Sequence, residues 1–294
     1  GKIYFVGGYG SSALSIAERY DPATNEWETL TPMSVAREGV FAASLNGKLY
    51  AIGGGVGSGL SSVEVFDPQT GQWSAGPALP SGVHRGSAIT VNGRILIFGG
   101  QNANGYSNAV LELNSDTNQW TSKASMLTAR AGHKVVLLDG KAWAIGGTDG
   151  SDTNKVEVYD LENDSWSTGP SLTIPRVWPN AWSANGKIYV SGGRAGSSGH
   201  LNSIEVYDPG TGQWAAFGIL PEIKYTADAA VLDGKVYVVS GSNGSTNSNK
   251  VFAADLIPHR DLYFREVNAT APGQPAPNQP PVFSESNATF TTAE

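Results

Sequence analysis

Histidine, cysteine and the acidic residues come first, because most metal and acid–base chemistry in proteins depends on them. The 294-residue chain has no cysteine and only four histidines. Those histidines lie far apart in the sequence, and no two have the short spacing of a metal-binding pair: His84, His133, His200 and His259. The sequence therefore predicts neither a thiolate metal site nor a histidine metal site, and we expect no cofactor.

Two further patterns could indicate chemistry. The segment Asp149-Gly-Ser-Asp152-Thr-Asn154 has side chains that suit calcium. Its spacing does not match the twelve-residue loop of an EF-hand, so we interpret it as a polar turn. The sequence has no Gly-x-Ser-x-Gly motif of a serine hydrolase and no Gly-Lys-Ser/Thr motif of a phosphate-binding loop. No residue is therefore predicted to be catalytic from these motifs.

Cations and glutamates recur at regular positions along the chain. The cations are Arg37, Arg85, Arg130, Arg176 and Lys224, and the glutamates are Glu18, Glu64, Glu157 and Glu205. A guanidinium group matches a carboxylate in a bidentate contact, so we interpret both sets as ion pairs that hold neighbouring repeats together. The simplest pairing is Glu64 with Arg85 and Glu157 with Arg176.

The same cations have a second interpretation as a ligand-binding rim. Five cations on one rim could attract an acidic ligand to an otherwise acidic protein. Arg130 is best suited to this role, because the apolar residue Leu111 stands at its matching acid position. If any of these cations faces a ligand, we expect it to be Arg130.

The regular spacing extends to the whole chain. Paired glycines recur every 46 or 47 residues, and tryptophans follow in step at intervals of 46 to 48: Gly7-Gly8, Gly53-Gly54, Gly99-Gly100, Gly146-Gly147 and Gly192-Gly193, with Trp27, Trp73, Trp120, Trp166 and Trp214. A sixth copy, which keeps fewer of these residues, begins at Asp233. Each unit contains four short strand patterns and an Asn-Gly or Asp-Gly hairpin turn. A repeat of this length predicts a β-propeller, in which no unit can bury its own faces alone.

The repeated residues resemble the kelch family. The resemblance lies in the apolar run into Gly-Gly, in the Tyr-Asp-Pro-x-Thr-x-x-Trp segments at 20–27 and 207–214, and in Pro175-Arg176. It covers residues 1–267 and implies an all-β fold, a six-bladed propeller with four antiparallel strands per blade. The family determines architecture far better than function.

The resemblance also implies where a ligand binds. In kelch domains that bind peptides, contacts come from the residue after Gly-Gly and from the residues after the repeated cation. The matching positions that we predict as ligand-binding, together with Arg130, are Tyr9, Glu38, Gln101, Thr148, Trp178, Arg194 and Tyr225. Arg194 and Tyr225 should lie near each other. Trp143 and Trp182 lie within strand patterns, and we interpret them as packing residues.

The composition narrows the class of partner. A formal net charge of -7 and a pI near 5.1 argue against nucleic acid and against an anionic membrane surface. No run of 18 apolar residues is present, so the sequence predicts no membrane insertion. Charged residues make up only 15% of the chain, which favours an exported or cell-surface protein. The expected partner is a protein, peptide or glycan at the propeller mouth, and the expected state is a monomer.

The two ends of the sequence raise the question of how the propeller closes. Gly1-Lys-Ile-Tyr4 matches Gly47-Lys-Leu-Tyr50, so blade one lacks its inner strand, and we infer a fragment of a longer chain. Residues 268–294 are expected to lie outside the propeller, as a proline-rich linker and the first strand of a following domain. Their Pro-Val-Phe segment resembles the start of a bacterial cadherin-like repeat, which implies that Glu294 helps to bind calcium. The alternative is that 288–292 supply the missing strand.

Two classes of function remain open from the sequence. The first is a non-catalytic protein- or glycan-binding module of an exported, adhesive, multidomain protein. The second is a carbohydrate-active enzyme such as a sugar epimerase or, less well supported, an oxidase of the galactose oxidase type, whose cross-linked cysteine this chain lacks. Glu38 and Asp228 are the only rim acids that the sequence offers as catalytic groups. A carboxylate or histidine beside Arg194 would favour the enzyme.

Overall fold

The chain folds into six four-stranded antiparallel sheets arranged as the blades of a propeller. The computed structural model describes residues 1–55, 57–196, 199–248, 250–257 and 262–267, and the backbone of Thr289–Ala293. Within these residues there is no helix that could span a bilayer. The predicted six-bladed architecture with four strands per blade is confirmed.

Strands are numbered along the chain, and each blade is given from the central channel outwards. Blades 1 to 3 consist of β24 (Thr289–Ala293), β1 (Lys2–Val6), β2 (Ala17–Asp21) and β3 (Glu26–Thr29); β4 (Phe41–Leu45), β5 (Lys48–Ile52), β6 (Val63–Asp67) and β7 (Gln72–Ala75); and β8 (Ser87–Val91), β9 (Arg94–Asn102), β10 (Gly105–Asn114) and β11 (Gln119–Lys123).

Blades 4 to 6 follow the same order. They consist of β12 (Lys134–Leu138), β13 (Lys141–Ile145), β14 (Val156–Asp160) and β15 (Ser165–Thr168); β16 (Asn180–Ala184), β17 (Lys187–Ser191), β18 (Ser203–Asp208) and β19 (Gln213–Ile219); and β20 (Asp228–Leu232), β21 (Lys235–Val239), β22 (Val251–Asp255) and β23 (Arg265–Val267). The six inner strands contact one another in a closed ring around the channel.

Blade 1 is completed by the end of the chain. Strand β24 pairs with β1 in antiparallel register, with Thr289 opposite Val6 and Ala293 opposite Lys2. This differs from the expectation that residues 268–294 lie outside the propeller, and it matches the alternative that the tail supplies the strand. The physical reason is that an open inner edge of β1 would leave its backbone N–H and C=O groups unpaired. The proline-rich part of the tail and Glu294 lie outside the described residues, so their assignments stay predictions.

The repeated tryptophans fix each outer strand to the preceding blade. Four of the five rings pack against the aromatic residue opposite them on the third strand, as Trp73 does on Phe66 at 5.2 Å between ring centroids. Trp120 lies opposite Leu113 instead. Four of the indole N–H groups donate to a carbonyl oxygen of the segment that leaves the preceding blade: Trp73 to Thr31, Trp120 to Pro77, Trp166 to Ala124 and Trp214 to Pro170. One residue type per repeat therefore provides both apolar burial and a satisfied polar group. Trp143 and Trp182 are buried between strands, as predicted.

The repeated acids and cations form buried ion pairs, but the predicted partners are wrong. Arg37 donates to Glu64 with 3.1 Å between Nη2 and Oε1, and Arg176 donates to Glu205 at 3.0 Å. Arg130 pairs with Glu157 in the same way. The cation therefore precedes its acid in sequence, because the segment that enters each blade reaches the third strand of that same blade.

These contacts also correct the assignment of two cations. Arg130 has no exposed surface, so it does not face a ligand. Arg85 does not occupy the buried cation position of blade 3. The backbone carbonyl of Val83 there accepts from Gly54, as that of Arg37 accepts from Gly8, so Arg85 lies two residues beyond the repeated position. Because Arg85 follows Arg37 at nearly the repeat spacing, the sequence alone does not show that it lies two residues beyond the repeated cation position.

In blades 3 and 6, which lack this Arg–Glu pair, both positions hold residues of another type. In blade 3 Val83 faces the acid position occupied by Leu111, and both belong to one apolar cluster. In blade 6 the cation is Lys224, whose ammonium lies 5.0 Å from the ring centroid of Phe252 and 3.0 Å from Glu222. Burial lowers the pKa of Lys224 to about 8. Each of these blades thus keeps a chemically matched pair at this place.

Candidate functional site

Backbone hydrogen bonds form a partial ring around the channel, through the five blades whose entry into the inner strand the structure describes. One residue from each of five successive blades contributes to this entry ring, and all five have positive φ, from 51° to 61°: Gly39, Arg85, Gly132, Trp178 and Thr226. The N–H of each later residue donates to the carbonyl of the one before it, at 2.7 to 3.3 Å. The chain therefore enters the inner strands of blades 2 to 6 through a residue of left-handed conformation.

Three of these positions are strained. Positive φ suits glycine, but it is unfavourable for a bulky residue such as Trp178, for Arg85 and for the β-branched Thr226. Such backbone strain costs on the order of 1 to 3 kcal/mol per residue and tends to occur at binding sites. The large side chains need small neighbours. A Cβ on Gly132 would lie 2.7 Å from the indole nitrogen of Trp178, and one on Gly39 would lie 2.7 Å from Cγ of Arg85.

The entry ring leaves little room at this end of the channel. The cavity inside it measures about 30 Å³, which is room for one or two water molecules. Below it, the ammonium of Lys134 donates to Asp228 at 2.8 Å and joins the inner strands of blades 4 and 6. On the opposite face the channel widens to a chamber of about 680 Å³, and none of its described lining residues is charged. A ligand that needs charged contacts is thus directed to the entry side.

Aromatic and cationic side chains meet on that entry side in a mouth cluster formed by Asp152, Trp178, Arg194, His200 and Tyr225. The guanidinium carbon of Arg194 lies 5.3 Å from the centroid of the Trp178 ring. The Tyr225 ring lies 6.0 Å from Trp178 and 4.3 Å from His200. Arg194 and Tyr225, which were predicted to lie near each other, are thus both neighbours of the Trp178 ring.

Asp152 fixes the orientation of Arg194. Its two carboxylate oxygens accept from Nη2 at 3.0 Å and from Nε at 3.3 Å, and the backbone N–H of Gly196 donates to the same group at 2.7 Å. The Asp152 side chain is only 8% exposed, while that of Arg194 is 40% exposed. Because Asp152 uses Nε and Nη2, the Nη1 group remains to donate to a ligand. The guanidinium is thus held in place before a ligand arrives.

A second arginine is held in the same manner. Nη2 of Arg85 donates to the buried Glu38 carboxylate at 2.7 Å, and a third of the Arg85 side chain is exposed. Glu38 was predicted as a rim contact, but it is 5% exposed and acts through Arg85 instead. Arg85 and Trp178 both line the small cavity of the entry ring. The entry side therefore presents two guanidinium groups that are each held by a carboxylate, and the Trp178 ring lies next to that of Arg194.

The remaining predicted residues lie on the same side of the propeller. Isolated backbone bridges join the residue after the buried cation to the residue after Gly-Gly: Ala131 to Thr148, Val177 to Arg194 and Tyr225 to Ser242. In blade 3 the bridge joins His84 to Gln101, as the two-residue shift requires. Tyr9, Gln101 and Thr148 are half-buried on the other blades. They extend the rim but belong to no described aromatic contact.

Sequence reasoning missed Asp152 and His200. Asp152 lay in a segment interpreted as a polar turn, and His200 had no partner within reach along the chain. Both come to the mouth because the loop after each Gly-Gly folds back over it, with bridges from Thr148 to Asp152 and from Arg194 to His200. The one sequence signal for these two residues is their position in the loops that follow Gly-Gly, which a comparison of equivalent loops between repeats would have shown. Among the residues that the structure describes, no three acidic or histidine side chains are grouped to hold a metal ion.

Gly132→Ala should disturb the mouth without touching a ligand. Its Cβ would collide with the Trp178 indole and with Val177, so we expect the ring to move and ligand affinity to fall about tenfold, as for loss of roughly 1.4 kcal/mol. Gly140→Ala is the matched control in the same blade, since Gly140 also has positive φ but has nothing within 4 Å of the new Cβ. Calorimetric titration of both variants with a ligand measures the two affinities. Equal losses of affinity would mean that only backbone strain matters.

Comparison with known proteins gives three findings. The family model for the KLHDC2/KLHL20/DRC7 Kelch-repeats domain matches residues 1–175 and 132–279. Beta-scruin of Limulus polyphemus is 34% identical over 89 residues, which are 30% of this chain and 10% of that protein. The human Kelch repeat and BTB domain-containing protein 8 is 42% identical over 79 residues, 25% of this chain and 13% of that protein.

Among solved structures, that of YjhT superposes with a TM-score of 0.76. The superposition covers 89% of this chain and 96% of that one, at 16% sequence identity, so the likeness supports the fold alone. The matches to the curated relatives extend over only about a tenth of their length.

Proposed function

The chain belongs to the kelch-repeat family of β-propellers, and on that premise we propose that it is a non-catalytic binding module whose ligand docks on the mouth cluster. A protein-binding module is the coarse function that family membership and the kelch relatives support. Which ligand is bound must be argued from this chain's own mouth, because its relatives match over only part of their length.

The observation that carries the proposal is the stack of Arg194 on Trp178 beside Tyr225. Tryptophan, tyrosine and arginine dominate the binding energy of protein interfaces, because they combine large apolar area with directional hydrogen bonds. Here the indole is placed at a strained φ of 51°, and the guanidinium is held by a nearly buried carboxylate. A fold that needed only stability would favour glycine at position 178, as at 39 and 132. The strain supports a role in recognition.

The chemistry of the cluster limits the ligand. The free Nη1 of Arg194 and the exposed part of Arg85 offer donors, and the two rings offer flat apolar faces. A protein segment that places a carboxylate or carbonyl oxygen next to a planar or apolar side chain satisfies both. A sugar ring that stacks on Trp178 satisfies them as well. We propose a protein ligand first, because the family supports it, and a glycan second.

The proposal extends to an exported, adhesive protein. Its support is the low charged fraction of 15% with a net charge of -7. A mouth built on cations paired with acids also keeps a near-neutral surface, which suits contact with other proteins more than with a polyanion.

One observation favours the alternative of a carbohydrate-active enzyme. His200 lies beside Arg194 and 4.3 Å from the Tyr225 ring, in the position where a general base would be expected. Against it, three acids near the mouth already form ion pairs: Asp152 with Arg194, Glu38 with Arg85 and Asp228 with Lys134. Turnover of a sugar that is abolished by His200→Gln would make the enzyme the better proposal.

The proposal is tested by screening the chain on peptide and glycan arrays beside its Tyr225→Ala variant. The variant removes the ring that contacts both His200 and Trp178, while the backbone bridge from Tyr225 to Ser242 stays. We expect specific ligands whose signal falls at least tenfold in the variant, with melting temperatures within about 2 °C of each other. Array ligands that bind both proteins equally would place recognition elsewhere.

A further inference from the structure

Blade 6 holds a serine in contact with both a lysine and a glutamate. The ammonium of Lys224 donates to Oγ of Ser248 at 2.6 Å, and that hydroxyl donates to Oε1 of Glu222 at 2.8 Å. The same ammonium lies 3.0 Å from Glu222. The three side chains are thus placed like a nucleophile, its base and a group that orients the base.

Blades 2 and 5 contain the same combination with arginine in place of lysine. Nη2 of Arg37 donates to the hydroxyl of Ser62 at 2.9 Å. Nη2 of Arg176 donates to that of Ser203 at the same distance, and each guanidinium also pairs with a glutamate. A guanidinium stays protonated in proteins, so it cannot act as a base for these serines. The lysine of blade 6 can lose its proton, and its serine can therefore become a nucleophile.

Lys224 is buried among hydrogen-bond acceptors. It has no exposed surface, and besides Ser248 and Glu222 it donates to the carbonyl of Ser240 at 2.7 Å. Burial lowers the pKa of Lys224 to about 8, although Glu222 opposes the shift. About a tenth of this lysine is therefore neutral at pH 7 and about half at pH 8. The neutral amine keeps two N–H groups for Ser240 and Glu222, and its lone pair is left to accept from the Ser248 hydroxyl.

Two further charged groups face this cluster. The ammonium of Lys250 lies 3.5 Å from Oε2 of Glu222 and 3.2 Å from Glu266. Their charges act on Lys224 in opposite directions, since Lys250 lowers its pKa and Glu266 raises it. Ser248 is half-buried, whereas Lys224 is fully buried, so a reagent from solvent meets the serine before the lysine.

We propose that Ser248 is a reactive serine that accepts an acyl group from a small activated ester, with Lys224 as its base. Oγ attacks the carbonyl carbon, its proton passes to Nζ of Lys224, and the C–O bond of the donor ester breaks. The leaving oxygen takes that proton, so Lys224 is neutral again and no further reactant is needed. The product is an ester on Ser248. This modification site goes beyond the binding function of the mouth and does not depend on it.

The probe is p-nitrophenyl acetate, which is added to the full chain at about pH 8. Peptide mass spectrometry then measures how fast each serine is acetylated. We expect Ser248 to react at least about tenfold faster than Ser62 and Ser203, because all three are half-buried beside a buried cation and only Ser248 has a base.

Lys224→Arg should slow the acetylation of Ser248 at least about tenfold, because arginine keeps the positive charge but cannot accept the proton. Blades 2, 4 and 5 carry arginine at the matching position, whose carbonyl accepts from the second glycine of the preceding blade. We therefore expect the variant to melt within about 2 °C of the wild type. Equal rates on the three serines, or an unchanged rate on Ser248 in Lys224→Arg, overturns the proposal.

If Lys224→Arg fails to fold, the pH dependence of the wild-type rate is measured instead. The base must be neutral, so the rate on Ser248 should rise about tenfold between pH 6 and 7 and level off above about pH 8. A rate that does not change with pH, or one that keeps rising to about pH 10 as direct hydroxide chemistry would give, overturns the proposal.

Discussion

Glu64→Gln is expected to lower the free energy of unfolding by about 3 to 5 kcal/mol, because it leaves the Arg37 guanidinium buried without a counter-charge. Arg37 has no exposed surface, and its other donors already serve the carbonyls of Gly53 and Ser62. The amide of glutamine can still accept from Ser34, but it cannot neutralise the cation. Denaturant unfolding followed by tryptophan fluorescence measures the loss.

The matched control is Glu28→Gln, which breaks an ion pair on the propeller surface. The Glu28 side chain is 57% exposed and pairs with Arg19, so we expect a loss below about 1 kcal/mol.

The difference in the free energy of unfolding between wild type and Glu64→Gln should shrink as the pH falls. Burial opposes ionisation of Glu64, but hydrogen bonds from Ser34 and Arg37 outweigh it and lower its pKa below 4.5. Its stabilisation is therefore present above about pH 4.5 and lost below. Equal losses for Glu64→Gln and Glu28→Gln would mean that a repeated buried pair stabilises the fold no more than a surface pair does.

Trp178→Ala is expected to weaken ligand binding by about 2 to 4 kcal/mol, a roughly 30- to 1000-fold rise in Kd. The indole is the shared contact of the cluster, since Arg194 stacks on it and Tyr225 leans against it. Its removal takes away apolar area, the cation–π contact and the support of both neighbours. Titration calorimetry with a ligand from the arrays measures the effect.

Two further variants test whether the loss of binding depends on the aromatic ring at position 178 and on its place at the mouth. Trp178→Phe retains a ring and should lose less than half of the binding energy. Val231→Ser changes a residue of the opposite chamber, 36% exposed, and should leave Kd unchanged. Unchanged binding by Trp178→Ala would exclude the mouth cluster as the main contact, most simply in favour of the blade edges.

The architecture could be predicted from the sequence because it depends on residues that recur. Five Gly-Gly pairs and five tryptophans mark the same turn and the same packing residue in five of the six blades, so one local interpretation holds for most of the chain. The sequence also predicted that the repeated acids and cations form buried ion pairs. It did not predict their partners, because spacing alone cannot tell whether a cation reaches the acid before it or the acid after it.

The site could be predicted only in part, for the same reason. Arg194, Trp178 and Tyr225 stand at fixed positions in the repeat, and the fold brings them together. Arg85 was assigned to the wrong position, since Val83 replaces the buried cation of blade 3. Asp152 and His200 come from loops whose course no periodic pattern determines. The strain at Trp178 and Thr226 was invisible in the sequence, because it depends on the left-handed turn of the entry ring.

The central claim is that recognition takes place at the mouth, and hydrogen–deuterium exchange of the wild-type chain with and without an array ligand tests it most directly. The account predicts new protection in peptides that contain Trp178, Arg194 and Tyr225, with no change in the outer strands β7, β11 and β15. Protection confined to those outer strands, or to the hairpin turns of the opposite chamber, would contradict it.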